Sequence, residues 1–298
     1  MILALTGGTG FVGGHVIRRA LEAGYQVRAL ARRAQPARDG VTWIAGALDD
    51  PAALATLTAQ ADAVIHIAGV VNAPDRAGFV AGNIDGTRAI VEATAPGTRF
   101  VHVSSLSARE PQLSIYGWSK HEAEAVIAAS ALAWDMVRPP GIYGPGDMEM
   151  LDVFRFARSG FSITPPPGRV SWIHVDDLAR LLVKLAETPA SRAIYEVDDG
   201  REGGWTHHEF AVAIGAALGR RVRPIALPPA LLRLGARIDG LMRGKNAKLT
   251  ADRVAYFCHP DWTVDPAKRP TAEIWTPRIA GDAGLKETVE SYRAAGLV

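Results

Sequence analysis

Over the first 140 residues, short apolar runs alternate with stretches in which hydrophobic positions recur at helical spacing. Ile2–Leu5, Val27–Leu30, Thr42–Ile44, Ala63–Ala68, Phe100–Val103 and Asp135–Val137 read as strands. Between them, Val12–Ala23, Pro51–Thr58, Asp85–Ala95 and Tyr116–Ser130 read as helices. This alternation predicts a doubly wound α/β unit, a parallel sheet covered by helices on both faces. Past Pro139 the rhythm breaks. Pro165-Pro166-Pro167-Gly168 reads as a stiff loop, and after Asp199 the chain becomes mainly helical and turn-rich. The expected division is a domain over 1–165 and a smaller, mainly helical one over 166–298, with some of its segments returning to the first. Within the latter, Ile225–Met242 forms one amphipathic pattern, with Leu231, Leu234, Ile238 and Leu241 on one face and Pro228, Pro229, Arg233, Arg237 and Asp239 as interruptions.

Composition narrows the class without changing that picture. The chain has 298 residues, 48% hydrophobic and 21% charged, as expected of an ordinary soluble globular protein. Its 33 basic and 31 acidic residues are scattered, which argues against nucleic acid as a partner. Cys258 is the one cysteine, so no internal disulfide or cysteine-based zinc site can form, and a cytoplasmic setting is expected. The start of the chain lacks a signal-peptide pattern, and no apolar run reaches the ~18 residues that a membrane span needs. The eight histidines show no metal-binding spacing. Thr206, with Glu209 three residues on, reads as a capping box, and Asp176-Asp177 read as caps of a helix through Leu178–Glu187.

Chemistry first enters at the end of the first strand. Thr6-Gly7-Gly8-Thr9-Gly10-Phe11-Val12-Gly13 follows a strand and opens a helix. Gly7, Gly10 and Gly13 would permit a tight turn, close backbone approach to a pyrophosphate and close helix packing, with the helix N-terminus supplying donors. At the end of the second strand, where an acid would bind the ribose hydroxyls of NAD, the chain has Ala31-Arg32-Arg33. Guanidinium groups suit a 2′-phosphate, so NADP is the expected cofactor and NAD remains possible. After the third strand, Ala47 and Leu48 would border the adenine, while Asp49 or Asp50 would cap the helix from Pro51.

Tyr116 and Lys120 stand four residues apart on a predicted helix and so share a face. A lysine ammonium beside a phenol favours the phenolate, and the Tyr116 pKa is expected to fall. Ser104-Ser105 end the fifth strand, at the sheet edge where ligands of open α/β sheets bind. Ser105 reads as a partner for a substrate oxygen, and Ser104 as a core hydroxyl bonded to backbone.

Together these residues resemble the extended short-chain dehydrogenase/reductase family. The glycine loop, Asn83 in Asn-Ile-Asp-Gly-Thr, Ser104-Ser105, Tyr116/Lys120, Arg138–Asp147 and Trp172–Ala179 carry the likeness. Arg32, Leu249–Val254, Asp261–Asp265 and Gly284–Val289 are similar to the branch with dihydroflavonol reductases and 3β-hydroxysteroid dehydrogenases. The resemblance implies a Rossmann domain with a C-terminal substrate domain, and Ser105, Tyr116 and Lys120 as the catalytic set. It implies that Lys120 holds the nicotinamide ribose and that Pro139, Gly141 and Ile142 lie near the nicotinamide. By the same likeness His66, Ile67, Ala68, Gly69 and Asn83 line the cofactor cleft, Val103 is a further cofactor-binding residue, and the chain forms a homodimer. Ala47 departs from the family, many members of which carry an acid there, and the segment between Ser105 and Tyr116 is short.

Three functions fit this reading. The leading one is NADP-dependent hydride transfer to or from a ketone or secondary alcohol of a small, apolar substrate. A second is epimerisation or dehydration of a nucleotide sugar with a recycled cofactor. The third is an NADP(H)-bound assembly or sensor protein without chemistry.

Overall fold

The computed structural model describes residues 1–244 and 250–298. It divides into two compact units. The first comprises Met1–Pro139, Asp176–Glu196 and Lys268–Thr276, and the second Pro140–Val175, Val197–Ala267 and Pro277–Val298. Residue 165, the boundary read from sequence, thus falls inside the first stretch of the second unit. Leu249 lies outside the described residues.

In chain order the elements to the sixth strand are β1 (Ile2–Thr6), α1 (Phe11–Glu22), β2 (Gln26–Ala31), β3 (Val41–Ala45), α2 (Pro51–Thr58), β4 (Ala63–His66), α3 (Arg76–Phe79), α4 (Gly86–Glu92), β5 (Arg99–Val103), α5 (Ile115–Ala128) and β6 (Ala133–Arg138). There follow β7 (Gly141–Tyr143), α6 (Leu151–Ala157), β8 (Phe161–Thr164), β9 (Arg169–Val170), β10 (Trp172–His174), α7 (Val175–Glu187), β11 (Ile194–Glu196), β12 (Trp205–Thr206), α8 (His207–Leu218), β13 (Arg223–Ala226), α9 (Pro229–Arg243), α10 (Ala251–Phe257), β14 (Asp261–Trp262) and α11 (Gly281–Ala294).

Seven parallel strands form the first unit's sheet in the order β11-β6-β5-β4-β1-β2-β3. All four residues of β4 and all five of β5 are buried, as both faces of a covered parallel sheet require. Leu54, Leu57, Ile90, Ile127 and Leu132 pack from the helices and loops onto Val64, Phe100 and Met136 of the strands. Strand order reverses direction between β1 and β4, and this is the switch point at which open α/β sheets bind ligands. Asp50 caps α2, accepting from the Ala52 and Ala53 amides at 3.1 and 3.0 Å.

The helix expected from Asp85 is present as α4, preceded by a π-helical segment, Val80–Asp85. One local expectation is corrected. Asp176 and Asp177 do not cap their helix, because α7 already starts at Val175 and places both in its first turn. Arg18 and Arg19 of α1 hold Asp176, and Arg180 holds Asp177 at 2.7 Å. Carboxylates in a first helical turn also interact favourably with the helix dipole.

The second unit is mainly helical after Asp199, with short strands added to its helices. Short strands pair as β10-β7, β12-β9-β14 and β13-β8. Its core gathers Tyr143, Phe154, Trp205, Phe210, Ile214, Leu285 and Tyr292. Trp172 stacks on Phe210 with ring centroids 4.2 Å apart, so this tryptophan serves packing. Thr206 and Glu209 form the expected capping box at the start of α8.

Candidate functional site

The glycine loop lies at the switch point. Gly7 has φ +77°, and a Cβ there would stand 2.7 Å from the Ala68 amide nitrogen, beyond the end of β4. At Gly13 a Cβ would come within 2.1 Å of the Gly7 carbonyl oxygen, so α1 starts hard against the loop. Gly10 occupies the N-cap of α1 without a side-chain hydrogen bond to the first turn. Thr9 and Gly10 are exposed, and Phe11 and Val12 partly so. The mouth of this helix therefore presents main-chain N–H groups and no carboxylate, which fits an anionic pyrophosphate. Gly8 is buried, and a Cβ there would press on Ala29 at 3.1 Å, a packing demand the glycine spacing leaves out.

Thr6 ties the loop to β4. Its hydroxyl lies 2.6 Å from His66 Nδ1 and accepts from the Ala68 amide at 3.2 Å. The Thr87 hydroxyl donates to the Asn83 carbonyl at 2.6 Å and so accepts from His66 Nε2 at 3.1 Å. His66 is thus a neutral imidazole with its proton on Nε2, and Thr6 donates to Nδ1. Burial first, and the Lys120 charge second, pull its pKa down to about 3. His102, stacked on it at 5.2 Å, is likewise held neutral, chiefly by burial.

Asn83 sits on the π-helical segment and is fully engaged. Its Oδ1 accepts from the Val70 amide at 2.6 Å, while Nδ2 donates to the Val70 carbonyl at 3.0 Å and to Ser119 Oγ at 2.8 Å. Ser119 in turn donates to the Tyr116 carbonyl at 2.8 Å. Asn83 therefore fastens the loop after β4 to the helix that carries Tyr116. A Cβ on Gly69 would stand 2.9 Å from its Oδ1, so the loop approaches without a side chain.

Tyr116, Lys120 and Glu124 recur every fourth residue along α5 and share one face. Lys120 is buried and donates to the Val103 carbonyl at 2.7 Å. Burial lowers its pKa to about 8, opposed by the nearby Glu124 carboxylate. Tyr116 corrects an expectation, because its pKa is raised. Burial disfavours the phenolate, and the hydrogen bond with Ser105 opposes this without overcoming it. Ser105 Oγ accepts from both the amide and the hydroxyl of Ser107, at 3.2 and 2.9 Å. With both lone pairs engaged, Ser105 has only its own proton to offer, and it offers it toward Tyr116. Ser107 and Ser119 carry no motif signal; only the short 3-10 turn Leu106–Arg109 brings Ser107 round to Ser105.

Behind this face lies a buried charge network. Ser104 donates to Glu124 at 2.5 Å rather than to backbone, because a carboxylate four residues beyond Lys120 reaches it first. Arg138 clamps Glu124 bidentately at 2.8 and 2.6 Å. Glu196, also buried, lies 3.6 Å from Arg138, 3.5 Å from Arg109 and 3.4 Å from Lys268.

The remaining candidates separate. Arg32 and Arg33 are exposed just beyond β2. Ala47 and Leu48 follow β3, with Leu48 turned partly onto the core, where a Cβ on Gly86 would meet it at 2.7 Å. The Pro139 carbonyl accepts from the Leu106 amide at 2.9 Å. Gly141 and Ile142 belong to the second unit, in β7, where Trp172 leaves no room for a Cβ on Gly141. Among the described residues no His, Cys, Asp and Glu cluster could hold a metal, and no helix is long and apolar enough to cross a membrane.

Comparison with known proteins agrees with this arrangement. Residues 3–197 match the model of the NAD dependent epimerase/dehydratase family. The chain is 38% identical over 306 residues to a ceramide reductase of Caulobacter vibrioides, covering 99% of this chain and 95% of that protein. It is 28% identical over 231 residues to an NAD(P)H azoreductase of Xenophilus azovorans, covering 76% and 77%. A Thermus thermophilus UDP-glucose 4-epimerase solved with NAD superposes with a TM-score of 0.74 at 21% identity, over 99% of this chain and all of that one. With the family's sheet, its glycine loop and a Ser105/Tyr116/Lys120 face all in one unit, the chain belongs to the NAD-dependent epimerase/dehydratase family and is an NAD(P)-dependent oxidoreductase.

Proposed function

We propose that the protein reduces a ketone on an apolar, lipid-class substrate at the expense of NADPH, with Tyr116 as proton donor. The observation that carries the reading is the Ser107–Ser105–Tyr116 chain, whose hydrogens all run one way. A phenol with a raised pKa keeps its proton at neutral pH, the state needed to protonate a developing alkoxide. When substrate binds, Ser105 turns its single proton from Tyr116 to the same oxygen and polarises it. Lys120 is anchored on Val103, and its ammonium favours negative charge nearby as the Tyr116 proton departs. The glycine loop and the N-terminus of α1 hold the pyrophosphate, and Arg32 and Arg33 meet the 2′-phosphate. When bound, the nicotinamide supplies the hydride, so that ketone, hydride and the Tyr116 proton together make a secondary alcohol.

The lipid-class substrate rests on the 38% identity to the ceramide reductase. Absorbance at the NADPH band tests the reading, with ceramide-class ketones, steroidal and aromatic ketones and nucleotide sugars as a panel. Net NADPH loss with an apolar ketone is the expected result. Conversion of a nucleotide sugar without net cofactor loss would replace reduction by epimerisation or dehydration.

A further inference from the structure

Helix α9 turns its apolar side away from its own unit. Leu231, Leu234 and Ile238 are about half exposed, at 51%, 51% and 49%, and Leu241 and Met242 reach 88% and 80%. At about 100° per residue these five fall within roughly a third of the helix circumference. Ala236, the residue buried on this helix, projects from the opposite side, and Arg237 borders one edge of the stripe, with Arg233 further round the same side. The strand pair that leads into α9 repeats the pattern. Ile225 pairs with Ile163 and Arg223 with Phe161, so these four share one face of the β13-β8 ribbon. Phe161, Ile163 and Ile225 are exposed while Ser162 and Thr164, on the other face, are buried.

Charge says what suits this face. Between Arg220 and Gly244 there are six arginines and one acid, Asp239, which pairs with Arg243 at 3.2 Å. From totals of 33 and 31, the other residues of the chain carry 27 basic and 30 acidic side chains. A long apolar stripe flanked on one side by arginines, on a helix of low net hydrophobicity, is the pattern of a helix lying in a bilayer interface. Anionic headgroups attract such arginines near the surface. A second copy of the chain fits worse, since a two-fold contact would set this arginine-rich face against itself.

We propose that α9 forms a docking surface for an anionic lipid bilayer, with its apolar stripe lying among the headgroups. The surface goes beyond the ketone-reduction reading and does not depend on it. The test is co-sedimentation of the full chain with large vesicles of phosphatidylglycerol and phosphatidylethanolamine, against vesicles of phosphatidylcholine alone. The wild-type chain should pellet with the anionic vesicles and much less with the neutral ones, and should be released as salt is raised from about 0.1 M to about 0.5 M. Leu234→Glu/Ile238→Glu and, separately, Arg233→Glu/Arg237→Glu should each weaken partitioning about tenfold or more while NADPH affinity stays unchanged. Absence of wild-type pelleting, or variants that pellet like the wild type, would overturn the proposal. So would a wild-type dimer, seen by sedimentation velocity, that the leucine–isoleucine variant splits. The vesicle readout involves no turnover, so a failure of the reductase reading would leave it standing.

Discussion

Ser107 Oγ lies 2.9 Å from Ser105 Oγ and donates to it. This short contact decides what Ser105 can do, because a hydroxyl that accepts twice must donate its own proton. Ser107→Ala removes one of the two donors and frees Ser105 to turn. Turnover with an apolar ketone should fall about tenfold with little change in NADPH affinity, and Ser107→Thr should restore most of it. Steady-state kinetics on the three proteins check this.

Lys120 is held at a cost. Its folded pKa of about 8 lies below the unfolded value of 10.5, so the folded state binds fewer protons between those limits. Stability therefore rises as pH climbs through that window, and the penalty is fully present below about pH 8. Lys120→Met should raise the melting temperature at pH 7, by the equivalent of about 1–3 kcal/mol, while abolishing turnover. Thermal melts at pH 7 and pH 10 should show the variant's advantage shrinking at the higher pH.

Asp147 carries the opposite titration in the second unit. Burial lifts its carboxyl to about 6 from 3.8, although it accepts from the Glu149 amide at 2.8 Å. The folded state binds the extra proton between those values, so stability falls as pH rises from about 4 to 6. Asp147→Asn keeps an acceptor for Glu149 and removes the charge. It should be more stable than the wild type at pH 7, by about 1–2 kcal/mol, and lose that advantage toward pH 4 in denaturant titrations.

Arg32 and Arg33, exposed beyond β2, should discriminate between the two cofactors. Arg32→Ala is expected to raise the KM for NADPH about tenfold and leave that for NADH nearly unchanged. Equal effects on both cofactors would remove the 2′-phosphate from the account.

Much of the first unit was readable in the residues, because covered parallel strands such as Ala63–His66 and Phe100–Val103 are short apolar runs carrying a single histidine each. Thr206 and Glu209 were readable for the same local reason, a capping pattern complete within four residues. What escaped depends on distant partners. Ile194–Glu196 is three residues long and becomes a strand only by pairing with Met136–Arg138. The π-helical segment at Val80–Asp85 leaves the apolar pattern of a helix intact. The Tyr116 expectation failed because spacing shows which side chains share a face but not how deeply the phenol is buried. In α9 the periodicity was visible, but not which side of the helix its unit would cover.

If Tyr116 gives the proton in a net reduction, single-turnover loss of NADPH absorbance with an apolar ketone should collapse in Tyr116→Phe. NADPH binding should stay unchanged while the rate falls at least about a hundredfold below wild type. A Tyr116→Phe protein that oxidises NADPH at the wild-type rate would contradict that role for Tyr116.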